Sequence, residues 1–184
     1  MSKRLADPRR LDVEAFADEG GNLNGAWTLS QLSRLAELTC SSATPEAESL
    51  IQWTARGERR HAKPAPAQIW LHVSANVHLH LLCQRCLQPC ATRLDAQRSF
   101  MFVAGEQAAA ELDETSEDDV LALTRALDLR DLVEDELLLS LPLVPKHVHC
   151  PQPLLAPTLE AGGSEHAPHP FAALATLKGN GPTR

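Results

Sequence analysis

The stretch Gln68–Leu82, QIWLHVSANVHLHLL, alternates apolar and polar residues along most of its length. Ile69, Leu71 and Val73 fall on one side of an extended chain, and Trp70, His72 and Ser74 on the other. Beyond Ala75 and Asn76 the pattern resumes, with Val77, Leu79 and Leu81 against His78 and His80. A period of two is the mark of a strand with one buried face, because successive Cβ atoms point to opposite sides. Fifteen residues is long for one strand, which predicts a bend or bulge near Ser74 to Asn76.

The flanking sequence supplies partners for this strand. Leu50 to Arg56 reads as a strand broken at Gly57, and Lys63 to Pro66 as a turn. Cys83 to Cys90 reads as a second turn, from which Thr92 to Val103 returns with Leu94, Phe100 and Phe102 facing inward. Asp119 to Leu123 adds a short strand. Upstream, Leu32, Leu35 and Leu38 give a short helix one apolar stripe, capped by Thr28 or Ser30. Residues 40–48 read as a loop, and residues 105–119, rich in Gly, Ala and acids, as a mobile one.

The main helix lies late. From Arg130 to Leu141, the residues Leu132, Val133, Glu136, Leu137 and Ser140 recur at three- and four-residue steps, and Leu138, Leu139 and Leu141 widen that face. Glu134, Asp135 and Glu136 give it a charged side. Pro142 and Pro145 end it, since proline has no amide proton and clashes with the preceding turn. Strands first and one main helix later predict an α+β domain: a small antiparallel β-meander or partly closed barrel with one amphipathic helix packed on it. The expected layout is an N-terminal arm over residues 1–27, one domain over 28–150, and a flexible tail over 151–184 with a short helix from Pro170 to Leu177.

Charge is uneven along the chain. Residues 54–98 hold seven Lys and Arg against two acids, whereas residues 106–136 hold twelve acids against two Arg. Either the protein has a basic and an acidic face, or these are unrelated solvated loops. Arg85, Arg93 and Arg98 are the candidates for contact with nucleic acid, and Glu134, Asp135 and Glu136 for contact with a basic partner. No run of roughly eighteen apolar residues occurs, and the N-terminus has no apolar block, so neither a membrane span nor a signal peptide is expected. A cytoplasmic setting follows, in which the five cysteines are metal ligands or plain thiols before they are disulfides.

Two cysteines two residues apart in a tight turn, Cys83 and Cys86, supply half of a tetrahedral metal site. His147 and Cys150 repeat that spacing at the end of the proline-rich strap, with His149 as the competing donor. Together they propose Cys83, Cys86, His147 and Cys150 around a structural Zn2+. The competing reading leaves these cysteines as reduced thiols beside solvated histidines, with no cofactor. Redox chemistry is disfavoured, because a thioredoxin-type pair opens a helix after a parallel strand and here Pro89 follows within a hairpin. Cys40 and Cys90 fit no ligand spacing. His72, His78, His80 and the three tryptophans read more simply as a polar sheet face and as packing. No phosphate loop, nucleophile triad or carboxylate pair stands out.

Three blocks resemble the YceD family of large ribosomal RNA subunit accumulation proteins: CQRCLQPC after the alternating strand, LVEDELLLSLPLVPKHVHC, and the terminal HPFAALATLK. GAWTLSQLSRLAEL near the start is similar too. The most specific run is Val133-Glu134-Asp135-Glu136 followed by Leu141-Pro142 and Val144-Pro145. The resemblance implies a non-enzymatic, cytoplasmic role in the synthesis, processing or accumulation of 23S ribosomal RNA. It implies large-subunit ribosomal RNA, an assembly intermediate or a basic ribosomal protein as partner. The alternative is a thiol or metal-dependent enzyme built on Cys83 and Cys86.

Overall fold

A computed structural model describes residues 6–40, 49–61 and 67–151. The expected turn at 63–66, most of the loop at 40–48, and the tail with its short helix lie outside the described residues. The fold is α+β. Its chain order is α1 (Val13–Asp18), β1 (Asn22–Thr28), a 3-10 turn (Leu29–Gln31), α2 (Ser33–Glu37), β2 (Leu50–Arg60), β3 (Gln68–Leu82), β4 (Pro89–Val103), α3 (Glu106–Asp113), β5 (Asp119–Ala122) and α4 (Leu129–Leu139).

The strands form one five-stranded sheet in sequence order. β1 to β4 are antiparallel neighbours, and β5 runs parallel to β4. The sheet is open and does not close into a barrel, so the meander is the correct alternative. β3 pairs with β4 from Ile69↔Phe102 to Leu82↔Pro89 without a skipped residue. The bulge expected at Ser74 to Asn76 is therefore absent. Ala75 is itself in phase with the apolar positions and is buried, so the alternation never breaks.

The odd residues of β3 build the core. Ile69, Leu71, Val73, Val77 and Leu79 meet Ile51 and Trp53 of β2 and Leu94, Phe100 and Phe102 of β4. Val13 and Phe16 of α1, Leu35 of α2, and Leu129, Val133 and Leu137 of α4 belong to the same buried cluster. Full burial of a leucine such as Leu137 is worth about 2–3 kcal/mol. The opposite face is covered at one end only, where α3 sets Ala109 against Trp70, Met101 and Val120.

Several local expectations are corrected. Residues 13–28 are not a loose arm: they hold α1 and β1, and Leu11 and Leu127 exchange two backbone hydrogen bonds of 2.9 Å. The run 105–119 holds α3, whose Ala109 packs against Trp70. β2 does not break at Gly57. A Cβ there would lie 2.9 Å from the backbone of Ala17, so glycine is what lets α1 rest on the strand. Among the described residues no helix is long and apolar enough to cross a membrane.

The acids of α4 are the largest correction. Asp128 caps the helix, its carboxylate accepting from the amides of Arg130 at 3.0 Å and Asp131 at 3.4 Å. Glu134 and Glu136 do not form a solvent-facing acidic side: they are only 5% and 8% exposed. Leu139, expected to widen the apolar face, is 74% exposed instead. Glu134 accepts from the Leu35 amide at 3.0 Å and from Arg34 Nε at 3.1 Å. The residue before α2, Leu32, has no side chain able to cap, so Glu134 satisfies an orphan amide of that helix from across the fold. Glu136 accepts from Arg98 Nε at 3.2 Å, and burial raises its pKa against the opposing pull of that guanidinium.

Glu134→Ala should leave the Leu35 amide buried without a partner and lower stability by about 1–3 kcal/mol. Asp135→Ala removes only a half-exposed ion pair with Arg34 and should barely move the melt. Thermal denaturation followed by circular dichroism compares the two. Equal melting of both variants would place this bracket outside the cooperative fold.

Candidate metal centre

The core-facing phase of β3 ends at Leu81, and one further pair of residues delivers Cys83 to the hairpin tip with its side chain buried. The turn is closed by Cys83 N–H to Gln88 O at 3.0 Å and Leu87 N–H to Cys83 O at 2.9 Å. Leu87 holds a positive φ of 58°, a conformation that costs a branched residue energy and that the closed turn imposes. β4 then departs at Pro89.

The strap after α4 crosses this tip. Gln84 N–H donates to Pro145 O at 2.9 Å, and Arg85 Nη2 donates to His147 O at 2.7 Å. Both contacts end on backbone carbonyls, which every residue carries, so residue identity does not announce them. They bring Cys83, Cys86, His147 and Cys150 together, with one donor atom from each and all four within 4.8 Å of one another. Cys83 Sγ lies 3.9 Å from Cys150 Sγ, and Cys86 Sγ lies 3.4 Å from His147 Nδ1. A tetrahedral zinc with bonds of about 2.3 Å to sulfur and about 2.0 Å to nitrogen places such donors about 3.8 and 3.5 Å apart. The residues present therefore fit a bound ion.

Histidine orientation is set by a second contact. His147 Nε2 lies 2.9 Å from Pro89 O, and a carbonyl can only accept, so Nε2 carries the proton. Nδ1 is left with its lone pair toward Cys86, as a metal-ligating imidazole held by an outer hydrogen bond requires. His149 is exposed and stands outside the group. Cys90 is buried against the cluster without joining it, and Cys40 lies outside it as well. All five cysteines are free thiols.

Electrostatics favour the thiolate at Cys83. Burial alone would push the Cys83 thiol up, but the amides of His147, Arg85 and Cys86 outweigh it and bring its pKa down to about 5. Cys86 moves the other way, raised by burial and by the neighbouring sulfurs of Cys150 and Cys83. Arg85 Nε donates to Cys150 Sγ at 3.0 Å, and the guanidinium pKa rises in response. Three thiolates and one imidazole around a divalent ion would carry a net negative charge, which Arg85 is placed to offset.

The structure scatters the other candidate residues. Arg85 stands beside the four-donor cluster, donating to Cys150. Arg93 is held by both oxygens of Asp95 at 2.8 Å. Arg98 turns to Glu136 and, at 3.8 Å, to Asp119. Glu134 and Asp135 share Arg34. All six residues are engaged in contacts within the chain. A cation that the sequence pattern alone did not single out is Arg56, which makes no side-chain hydrogen bond or ion pair among the described residues. Its place on the polar phase of β2, with Gln52 and Thr54, was the available signal.

Arg85→Gln should keep the fold and weaken retention of an added divalent ion by about tenfold or more, the usual effect of losing an outer-sphere partner. Competition with a chromophoric chelator measures it. Unchanged retention would show that Cys150 needs no neutralising donor.

The family model for the large ribosomal RNA subunit accumulation protein YceD matches residues 71–178 of this chain. A relative from Haemophilus influenzae named large ribosomal RNA subunit accumulation protein YceD is 31% identical over 174 residues, covering 91% of this chain and 95% of the relative. No solved structure matches. The family match spans the hairpin, the acidic helix and the strap that carry the four-donor cluster, and the chain belongs to the YceD family.

Proposed function

We propose that this protein acts in the cytoplasm as a non-catalytic accessory factor of large-subunit assembly, needed for 23S ribosomal RNA to accumulate. The observation that carries this reading is the match to a relative with that name over nearly the whole of both chains. Its partner is large-subunit ribosomal RNA or an assembly intermediate containing it. The cluster at the hairpin tip is a structural zinc site that clamps the strap to β3 and β4. Three sulfurs and one nitrogen fill a tetrahedral coordination sphere, and a closed sphere is the hallmark of structural zinc. A zinc or thiol enzyme would need an open coordination position or a freely cycling cysteine pair.

The metal clamp and the assembly role are tested separately. Purified protein should carry close to one zinc per chain by atomic emission. Cys86→Ser should lose the metal together with thermal stability, whereas Cys90→Ser should keep it. Thiols that become titratable only after chelator treatment support the clamp, and thiols that cycle without chelator support an enzyme instead. In cells, deletion of the gene should lower the ratio of 23S to 16S ribosomal RNA, and Cys86→Ser should restore it poorly. An unchanged ratio in the deletion strain would remove the assembly role.

A further inference from the structure

The outer face of the sheet is bare from β1 to β4 among the described residues. The core cluster that takes in α1, α2 and α4 lies on the other face, and α3 covers only the end near Trp70 and Met101. The even residues of β2 and β3 and the odd residues of β4 share the bare side. Two depressions of about 490 and 220 Å3 adjoin there and share Thr54 and Ser74. Four exposed amide side chains, Asn24, Gln52, Asn76 and Gln97, line them, and none has a side-chain hydrogen bond among the described residues. Arg56 lines the smaller one beside His72 and Ser99.

The hydroxyls and the imidazole are already arranged. Thr54 and Ser74 share a hydrogen bond of 2.7 Å across the strands. His72 bridges Ser99 Oγ at 2.7 Å and Glu58 at 3.0 Å. The two carboxylates of this face are both engaged, Glu58 by Arg60 and His72, and Asp95 by Arg93. Arg56 is left as a cation without a counter-ion among the described residues. No acid of the run 106–136 lines either depression, although α3 carries several of them at the Trp70 end of the same face. The region of these two depressions, lined by Arg56 and by no carboxylate, is therefore where a polyanion can approach an otherwise acidic protein. Its middle shows no large exposed apolar side chain; Leu50 and Leu82 stand at the strand ends. An apolar protein surface would find little to bury here.

We infer that this bare face binds single-stranded RNA, Arg56 taking a phosphate and the four amides taking the hydrogen-bonding edges of unpaired bases. The inference rests on the ribosomal RNA reading above and names the surface that would serve it. Unpaired bases suit a flat sheet because they can splay across it, whereas the deep, narrow major groove of duplex RNA hides base edges from side chains. Asn and Gln offer a donor and an acceptor side by side, the pattern a base edge matches. Phosphate contact fixes position and base contact fixes sequence, so the two residue types have separable roles.

The test uses the full chain with its metal. Fluorescence anisotropy is read with labelled single-stranded fragments of large-subunit ribosomal RNA and with the same fragments as duplexes. The wild type should prefer single strands. Arg56→Gln should weaken binding to all of them alike and reduce the salt slope by about 0.7. Asn76→Ala with Gln97→Ala should weaken binding by about tenfold and blur preference between fragments. All three side chains are exposed, so the melting temperature should hold. Wild-type binding that favours duplex, or variants that bind as tightly as wild type, would overturn the proposal. So would loss of binding to a purified ribosomal protein, with RNA binding intact, in the same variants. The 23S to 16S ratio in cells carrying Arg56→Gln separates the two readings. If deletion lowers the ratio while these variants neither bind RNA differently nor lower it, the assembly role stands and this surface falls.

Discussion

The unbroken β3–β4 ladder governs what every other element can do. Its register holds from Ile69↔Phe102 to Leu82↔Pro89 without a slip. Because the side-chain period of a strand is two, one skipped residue would turn every later side chain to the other face. Packing of the core is thus bound to the position of the hairpin tip: the phase that buries Val77, Leu79 and Leu81 also buries Cys83. The same phase sends His72, Ser74 and Asn76 to the uncovered side. Core, four-donor cluster and polar face all follow from one alternation.

The acids of α4 show how a polar residue on a helix can belong to the core without breaking it. A buried carboxylate is costly unless charge and hydrogen bonds meet it. Glu134 is met by a helix amide and a guanidinium from α2, and Glu136 by Arg98 reaching from β4. Each contact joins elements far apart in sequence, so removing one partner strands the other. Hydrophobic burial brings α4 to the sheet, and these two acids fix its rotation and height.

The cluster at the hairpin tip works by a similar logic on a smaller scale. The chain has few aromatic residues, and the strap beyond α4 leaves Leu143, Val144 and Val148 exposed. Hydrophobic packing therefore does little to hold this segment. Hydrogen bonds from Gln84 and Arg85 hold it first, and four donor atoms converge as a result. The Pro89 carbonyl selects the histidine tautomer, and Arg85 stands against the charge of the sulfurs.

Local pattern was enough to read the strand character of β3, the inward set of β4, the helix after Asp128 and the two knuckles that supply the four donor side chains. Each is a period of two, a period of three to four, or a fixed spacing, and backbone geometry converts such patterns directly into faces. Only the packed fold decided that β1 and α1 join the domain and that β2 runs on through Gly57. It also decided that Glu134 and Glu136 are buried, and that Arg85 and Arg98 turn to partners within the chain. A charged side chain looks the same in sequence whether water or a distant guanidinium satisfies it. A glycine looks the same whether it ends a strand or lets a helix lie against one. These outcomes depend on partners dozens of residues away, which the assembled sheet alone brings within hydrogen-bonding distance.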